Sequence, residues 1–377
     1  MNVFRGFLIL AATILWSPLP ETTATAGSLD YNVKWTHYGI RPLAMGNAFV
    51  SVADDFNALF YNPAGLARLE EWDGEFLNPS MEISAETTTF IGDLMDLANG
   101  SASDSKAVLD LIEKNTGKNH HGALSWTPHL IFPHFGFGIG AELDLGLTFH
   151  RYPSAFLNAG PKVVIPFSFA MNFLEDRLSF GLSLKARVQG GIYHEFSIQD
   201  LEALKSSEGD NNSGPKLEDY VRGGYGMGAD FGMLFTPMKP MEPTLGISIS
   251  DLGGTSFEKM DIGGTALGAP DQVLPSVNIG MSFKPIQTSS SYLLAAIDMH
   301  SINQPFDYSK KLNLGVEWGY GTIIKIQSGL HQGYFSGGLQ LDAGLLALRL
   351  ASYAEEMGNV AGKSMDRRYI FQLKLLI

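Results

Sequence analysis

Phe135-Gly-Phe-Gly-Ile-Gly-Ala-Glu-Leu-Asp-Leu-Gly-Leu-Thr-Phe149 alternates for fifteen residues without a slip. One face carries Phe135, Phe137, Ile139, Ala141, Leu143, Leu145, Leu147 and Phe149, and the other Gly136, Gly138, Gly140, Glu142, Asp144, Gly146 and Thr148. A period of two sends alternate side chains to opposite faces of a strand. Strands of a soluble sandwich run ~5–6 residues, whereas a strand that crosses a bilayer needs about 9–11. The stretch is long enough to span, with a wholly apolar face set against glycines and carboxylates.

The same pattern recurs outward from it. Leu178 to Val188, Tyr225 to Phe235 and Leu312 to Tyr320 repeat the alternation. Shorter versions occupy Phe167 to Phe173, Leu245 to Ser250, Val277 to Phe283, Leu293 to His300, Ile324 to Leu330, Tyr334 to Leu341 and Leu346 to Ala351. With Phe76 to Thr89, Gly122 to Phe132 and the terminal Tyr369 to Ile377, the total is about 14, and single-chain barrels favour even numbers. The small face carries charges of both signs, including Glu142, Asp144, Lys185, Arg187, Asp230, Asp298, Glu317, Lys325, Arg349 and Lys374. That suits a hydrated lumen packed around a plug. The apolar face would meet lipid, with Trp318, Tyr320, Tyr225 and Phe149 as interface aromatics. The expected fold is all-β, a transmembrane antiparallel β-barrel whose closure removes exposed strand edges.

Phe90 to Lys114 changes period: apolar residues recur every three or four positions, giving two short amphipathic helices broken at Asn99-Gly100-Ser101. In a barrel they form a lid over a ligand mouth or a solvated loop. Long loops are expected at 90–120, 195–222 and 252–272, the second starting with a short helix at Ile198 to Lys205.

Composition agrees. Of 377 residues, 17% are charged and 42 are glycine, against the ~25% charge usual in soluble domains. The net charge of -13 argues against a nucleic-acid partner, whose phosphates it would repel. The absence of cysteine excludes a disulfide scaffold and thiolate zinc sites. Near the start, Arg5, the apolar run Phe7 to Trp16 and Ala24-Thr25-Ala26 have the order of a secretory signal peptide, 1–26, with the mature chain from Gly27. The apolar run is far short of the ~20 residues a membrane helix needs. A lipid anchor would need a cysteine at the cleavage site.

Motifs for other chemistries fail their context tests. His120-His121 would point to opposite faces of a strand, and no helical histidine pair accompanies them, so no metal is assigned and exposed loop histidines are expected. Gly136-Phe-Gly138-Ile-Gly140 and Gly224-Tyr-Gly226-Met-Gly228 lie inside alternating strands rather than between a strand and a helix. They read as small lumen-facing positions that let a plug approach. Gly181-Leu-Ser183 and Gly246-Ile-Ser248 lack the second glycine of a nucleophile elbow. Asp210-Asn-Asn-Ser-Gly214 lacks a bidentate Glu at calcium-loop spacing. No catalytic residue and no cofactor is nominated, and the protein is not expected to be an enzyme.

The densest motif lies near the N-terminus. Arg41-Pro-Leu-Ala-Met-Gly46-Asn-Ala-Phe-Val-Ser-Val-Ala-Asp54-Asp, followed by Leu59-Phe-Tyr-Asn62-Pro63-Ala64-Gly65-Leu66, mixes small residues with paired carboxylates. Pro63 fixes its own φ and pushes Asn62 towards an extended conformation, while Gly65 permits a left-handed one. The motif resembles the N-terminal signature of the FadL-like family (OmpP1/FadL/TodX) of outer-membrane barrels. The resemblance implies a plug, 27–71, inside a barrel, 72–377, that carries long-chain fatty acids or other hydrophobic small molecules across the bacterial outer membrane. It further implies gating at a break near Asn62-Pro63-Ala64, and often a lateral opening in the wall. Carried onto this chain, the gate positions are Gly46, Asn62, Pro63, Ala64 and Gly65. The implied partners are outer-membrane lipid, a hydrophobic ligand and the barrel-assembly machinery, which would read a last strand ending in Ile377 where an aromatic is usual. A monomer is expected. The alternative is a PorV-like barrel that holds a protein partner for secretion or surface attachment. A transporter should show an apolar pocket between plug and loops, and an adaptor need not.

Overall fold

The alternating segments pair antiparallel in chain order, and the last pairs with the first. The computed structural model describes residues 39–99, 105–150, 154–197, 199–200, 203, 215–238, 241–262 and 265–375. The expected signal peptide, residues 27–38, the Asp210–Gly214 loop and Ile377 lie outside these.

Among the described residues fourteen strands close a ring. The first three are interrupted: β1 (Asp73–Glu75 and Pro79–Ser84), β2 (Asn119–Trp126 and His129–Phe132) and β3 (Phe135–Gly138 and Gly140–Phe149). Next come β4 (Ser154–Phe173), β5 (Leu178–Ser197), β6 (Val221–Phe235), β7 (Thr244–Ser250) and β8 (Ser276–Gln287). The rest are β9 (Ser291–Met299), β10 (Leu312–Tyr320), β11 (Ile324–His331), β12 (Tyr334–Asp342), β13 (Leu346–Glu356) and β14 (Met365–Leu375). Strand β14 pairs with β1, Met81 opposite Phe371, which closes the wall.

Burial follows the alternation in reverse of a soluble protein. Ser168, Ser183, Glu317 and Ser336 are fully buried, whereas Leu143, Phe169, Leu182 and Met227 are exposed. An apolar outside around a polar inside is the arrangement of a barrel solvated by lipid. One end of the ring carries short turns, at 174–177, 288–290, 321–323 and 343–345, and the other carries long connections such as 85–118 and 251–275.

Three sequence expectations are corrected. Strands β4 and β5 run 20 residues each, well beyond Phe167–Phe173 and Leu178–Val188, because Pro161 and the glycines near it mask the alternation. The first strand ends at Ser84 rather than Thr89, and a helix starts at Ala85 with Glu86 in its first turn. Thr87 Oγ1 accepts from His121 N at 2.8 Å and lies 3.0 Å from His121 O on β2, a tertiary contact that outweighs the strand preference of Thr87-Thr88-Thr89. The histidines at 120 and 121 lie on β2, not in a loop.

Residues 40–69 pack against the inner face of the ring, and Glu70 and Glu71 are exposed. Helix α1 (Ile40–Ala44) and helix α2 (Ala58–Tyr61) lead to a 3-10 turn at Pro63–Arg68. Asn62 is extended (φ -158°) ahead of Pro63, as the proline ring demands, and its side-chain oxygen accepts from Ala64 N at 3.2 Å. Met45, Ala48, Phe49, Ala53, Ala58, Leu59 and Leu66 are completely buried. Beyond the ring, helix α3 (Ala85–Asn99) and helix α4 (Ser105–Asn115) form the expected helical pair.

Candidate functional site

The inner segment is held by charge at one end. Arg41, on α1, donates from Nε and Nη2 to the two oxygens of Glu317 on β10, each at 2.7 Å. Its Nη1 donates to Asp54 at 2.6 Å and Asp55 at 2.8 Å, and the guanidinium lies 5.1 Å from the Phe49 ring centre. Glu317 also accepts from Tyr292 at 2.7 Å and Gln327 at 3.0 Å. A bidentate guanidinium–carboxylate pair is both strong and directional. Burial works to raise the Asp54 pKa, but Arg41 beside it outweighs this and holds the carboxyl at about 2.

The middle is held by backbone groups. Asp298 on β9 accepts from Phe49 N at 2.6 Å and Val50 N at 2.7 Å. Tyr61 donates to Asn47 Oδ1 at 2.6 Å. Asn62 Nδ2 donates to Val50 O at 2.8 Å and lies 3.4 Å from Met233 O and Ile247 O on β6 and β7. One side chain therefore joins the inner segment to itself and to two strands.

The sequence-derived gate positions are close-packing points at separate places, Gly46 against β10 and β11, and Asn62, Pro63 and Ala64 against β5 and β6. Gly46 (φ +62°) lies under the backbone of Leu314 and Leu330, and a Cβ on Gly65 would strike Ala53 O. Facing them, Gly181 lies against Pro63 and Ala64, Gly232 against Asn62, Gly246 against Val50 and Ser51, and Gly315 and Gly329 against Met45. A wall of glycines lets two backbones meet where any side chain would hold them apart. Gly136 and Gly138 fit the same expectation, receiving Leu59. Gly224, Gly226 and Gly228 do not: they face Glu258, Ser256 and Thr255 of the connection after β7.

At β1–β3, which share a cavity with Arg41 and Asp55 through Asp73 and Glu75, the wall itself is interrupted. Pro128 has no N–H, Ile139 N turns to Pro128 O at 2.9 Å, and β1 slips by one residue between its two halves. Asn78 spans the gap, donating to Thr127 O at 2.8 Å and accepting from Thr127 N at 3.1 Å. Inside, Phe56 stacks on His129 at 4.1 Å. Outside, Trp72, Phe76 and Trp126 are exposed.

A cavity of about 360 Å³ opens at the short-turn end beside Arg41 and Asp55, its wall formed by Lys325, Arg349, Lys374 and Glu75. A second, of about 20 Å³ among Asp144, Lys162 and Arg222, has room for about one water. Neither is an apolar pocket between inner segment and loops. Asp73, Glu75 and His129 bring ligand atoms within 4.8 Å of one another. They suit a cation poorly, because Glu75 already holds Arg349 at 2.8 Å and Lys374 at 2.6 Å.

Arg41, Asp54 and Asp55 lie within the N-terminal motif, and the sequence alone assigns them no role. The available signal was one cation and two adjacent acids in an otherwise small, apolar segment. Of the aromatics expected at the membrane interface, Trp318, Tyr320 and Tyr225 are exposed, whereas Phe149 is buried beneath Phe90 of α3.

No family model matches the chain, and no curated protein is significantly similar to it in sequence. Among solved structures, the CymD monoaromatic hydrocarbon channel is 13% identical, with 89% of this chain and 96% of that one covered and a TM-score of 0.50. The Ralstonia pickettii toluene transporter TbuX is 12% identical, with 91% and 99% covered and a TM-score of 0.52. A Pseudomonas aeruginosa FadL homologue is 11% identical over 89% and 97%, with a TM-score of 0.48. The first two likenesses show the fold: a closed fourteen-stranded antiparallel β-barrel, as the alternating sequence predicts.

Proposed function

We propose that the protein is a bacterial outer-membrane channel for hydrophobic small molecules, long-chain fatty acids or other apolar compounds, with residues 27–71 as its plug. Support comes from the similarity in fold to channels described as carrying monoaromatic hydrocarbons or toluene. The observation that carries the reading is the contrast around the inner segment, tightly held towards β9–β12 and facing an interrupted wall at β1–β3. A ligand enters from the loop end, the plug yields at Gly46 and at Asn62-Pro63-Ala64-Gly65, and the ligand leaves sideways between the halves of β1–β3 into the bilayer. The chain works as a monomer after export by its signal peptide and insertion by the barrel-assembly machinery.

One observation favours the second reading, a PorV-like adaptor for a protein partner: both cavities have charged walls. Native mass spectrometry of the protein, purified from its own membrane in mild detergent, separates the two. A co-purifying fatty acid or hydrocarbon, lost from the Asn62→Ala and Pro63→Ala variants, is the expected result. A bound protein with an empty lumen would overturn it in favour of the adaptor.

A further inference from the structure

Helix α3 lies against the outside of the wall rather than over the lumen. In the ladder of β2 and β3, His120 is opposite Leu147 and Leu124 opposite Leu143. Leu124 and Leu143 are 57% and 53% exposed and face outward, and His120 is on their face because it is four residues from Leu124. Its neighbour His121 points inward, to Glu82 at 3.1 Å. Phe90 of α3 stacks on His120 at 4.2 Å and lies 5.9 Å from the Phe149 ring. His120 and Phe149 face outward yet are buried because the helix covers them.

The height and orientation of the helix follow from its neighbours. Helix α4 is tied to one flank of α3 by the Lys114–Asp93 ion pair. It leads to Gly117, whose N–H donates to Phe149 O at the top of β3 at 2.7 Å. Phe90 rests at the level of His120 and Leu147, and Asp93, which holds α4, lies on the helix face opposite Ile91 and Met95 by the ~100° step per residue. The opposite flank carries Ile91 and Met95, one turn apart and 41% and 61% exposed. On the outward face of the strands that α3 covers, Leu145 is 56% and Met81 52% exposed. Residues 85–99 contain no Lys or Arg, and their charges are Glu86, Asp93 and Asp96, so the flank suits hydrocarbon rather than an anionic headgroup.

We propose that α3 is an interfacial helix whose Ile91–Met95 stripe is immersed in the acyl-chain boundary of the outer leaflet, continuing the lipid-facing surface of the barrel. The partner is the lipid surface itself. Helices of this kind bury an apolar face about 5–10 Å into the headgroup boundary. The inference rests on the barrel being in a membrane.

The chain has no cysteine, so single Met95→Cys, Asp96→Cys and Leu143→Cys variants can carry an environment-sensitive fluorophore. Each is reconstituted in phosphatidylcholine vesicles with bromine near the glycerol end of the acyl chains. Quenching at Met95 is expected to match that at the barrel control Leu143 and to exceed that at Asp96 by about three-fold or more. Quenching at Met95 as weak as at Asp96, with Leu143 quenched, would overturn the proposal and leave a solvated helix or a lid. Quenching at none of the three would defeat the membrane reading of the barrel as well, which tells the two failures apart. Ile91→Cys repeats the measurement if Met95→Cys does not give the heat-modifiable migration of a folded barrel.

Discussion

The inner segment meets its wall in two unlike ways. Towards β9–β12 the contacts are directional: Arg41 on Glu317, Asp298 on two backbone amides, and Ser336 Oγ on Ala44 O at 3.2 Å. Towards β1–β3 they are mainly apolar, with Leu59 against Gly136 and Gly138 and Phe56 on His129. Hydrogen bonds between buried charges fix one geometry, because any displacement leaves a charge unpaired in a low dielectric. Apolar contacts are non-directional and tolerate sliding. The molecule therefore has a fixed side and a permissive side, and the interruption of the strands falls on the permissive one.

The strongest way to break this contrast is Arg41→Ala. It strands Glu317, which is completely buried, and loss of one partner of a buried ion pair costs about 3–5 kcal/mol. The expected outcome is earlier thermal unfolding on semi-native gels and a raised ion conductance in planar bilayers. Wild-type behaviour in both would show that the charged side does not fix the segment. Asn62→Ala should come next, at about 1–3 kcal/mol for the buried groups it leaves unsatisfied. Its conductance should rise less than that of Arg41→Ala.

On the permissive side, Asn78→Ala removes the side chain that spans the gap, costing ~1 kcal/mol of stability. Uptake of a hydrophobic fluorophore into loaded vesicles should change more than ion conductance does. The opposite pattern would place the weak point of the wall elsewhere. Acid gives the smallest and sharpest effect. The Asp54 pKa falls from 3.8 to about 2 on folding. Its stabilising contribution is thus present above the unfolded value and is lost as pH falls through the folded one. Conductance should stay flat from neutral pH to about pH 5 and rise only below about pH 4. A rise beginning near pH 6 would implicate a histidine in its place.

Legibility in the sequence followed the physics of each region. Phe135–Phe149 could be read because lipid on one side and a packed lumen on the other demand opposite chemistry at every step. The upper half of β4 could not, since Gly160 and Pro161 interrupt the pattern there while the pairing with β3 and β5 continues. Thr87–Thr89 prefer strand, but the tertiary contact of Thr87 with the His121 backbone holds them in the helix. The alternation places Phe149 on the lipid-facing side, but a helix that begins 64 residues earlier in the chain covers it.

By itself the sequence determined the all-β class, the strand count, the polar inside and the small-residue motif that fits within. These are local: period two, glycine and charge are written residue by residue. Tertiary structure alone decided which charges meet and which wall is interrupted. Arg41 finds Glu317 at a separation of 276 residues, and three separate interruptions, at 76–78, at Pro128 and at Ile139, fall side by side only once β1, β2 and β3 pair. Pairing partners across a closed sheet depend on register and curvature, which no single stretch of sequence encodes.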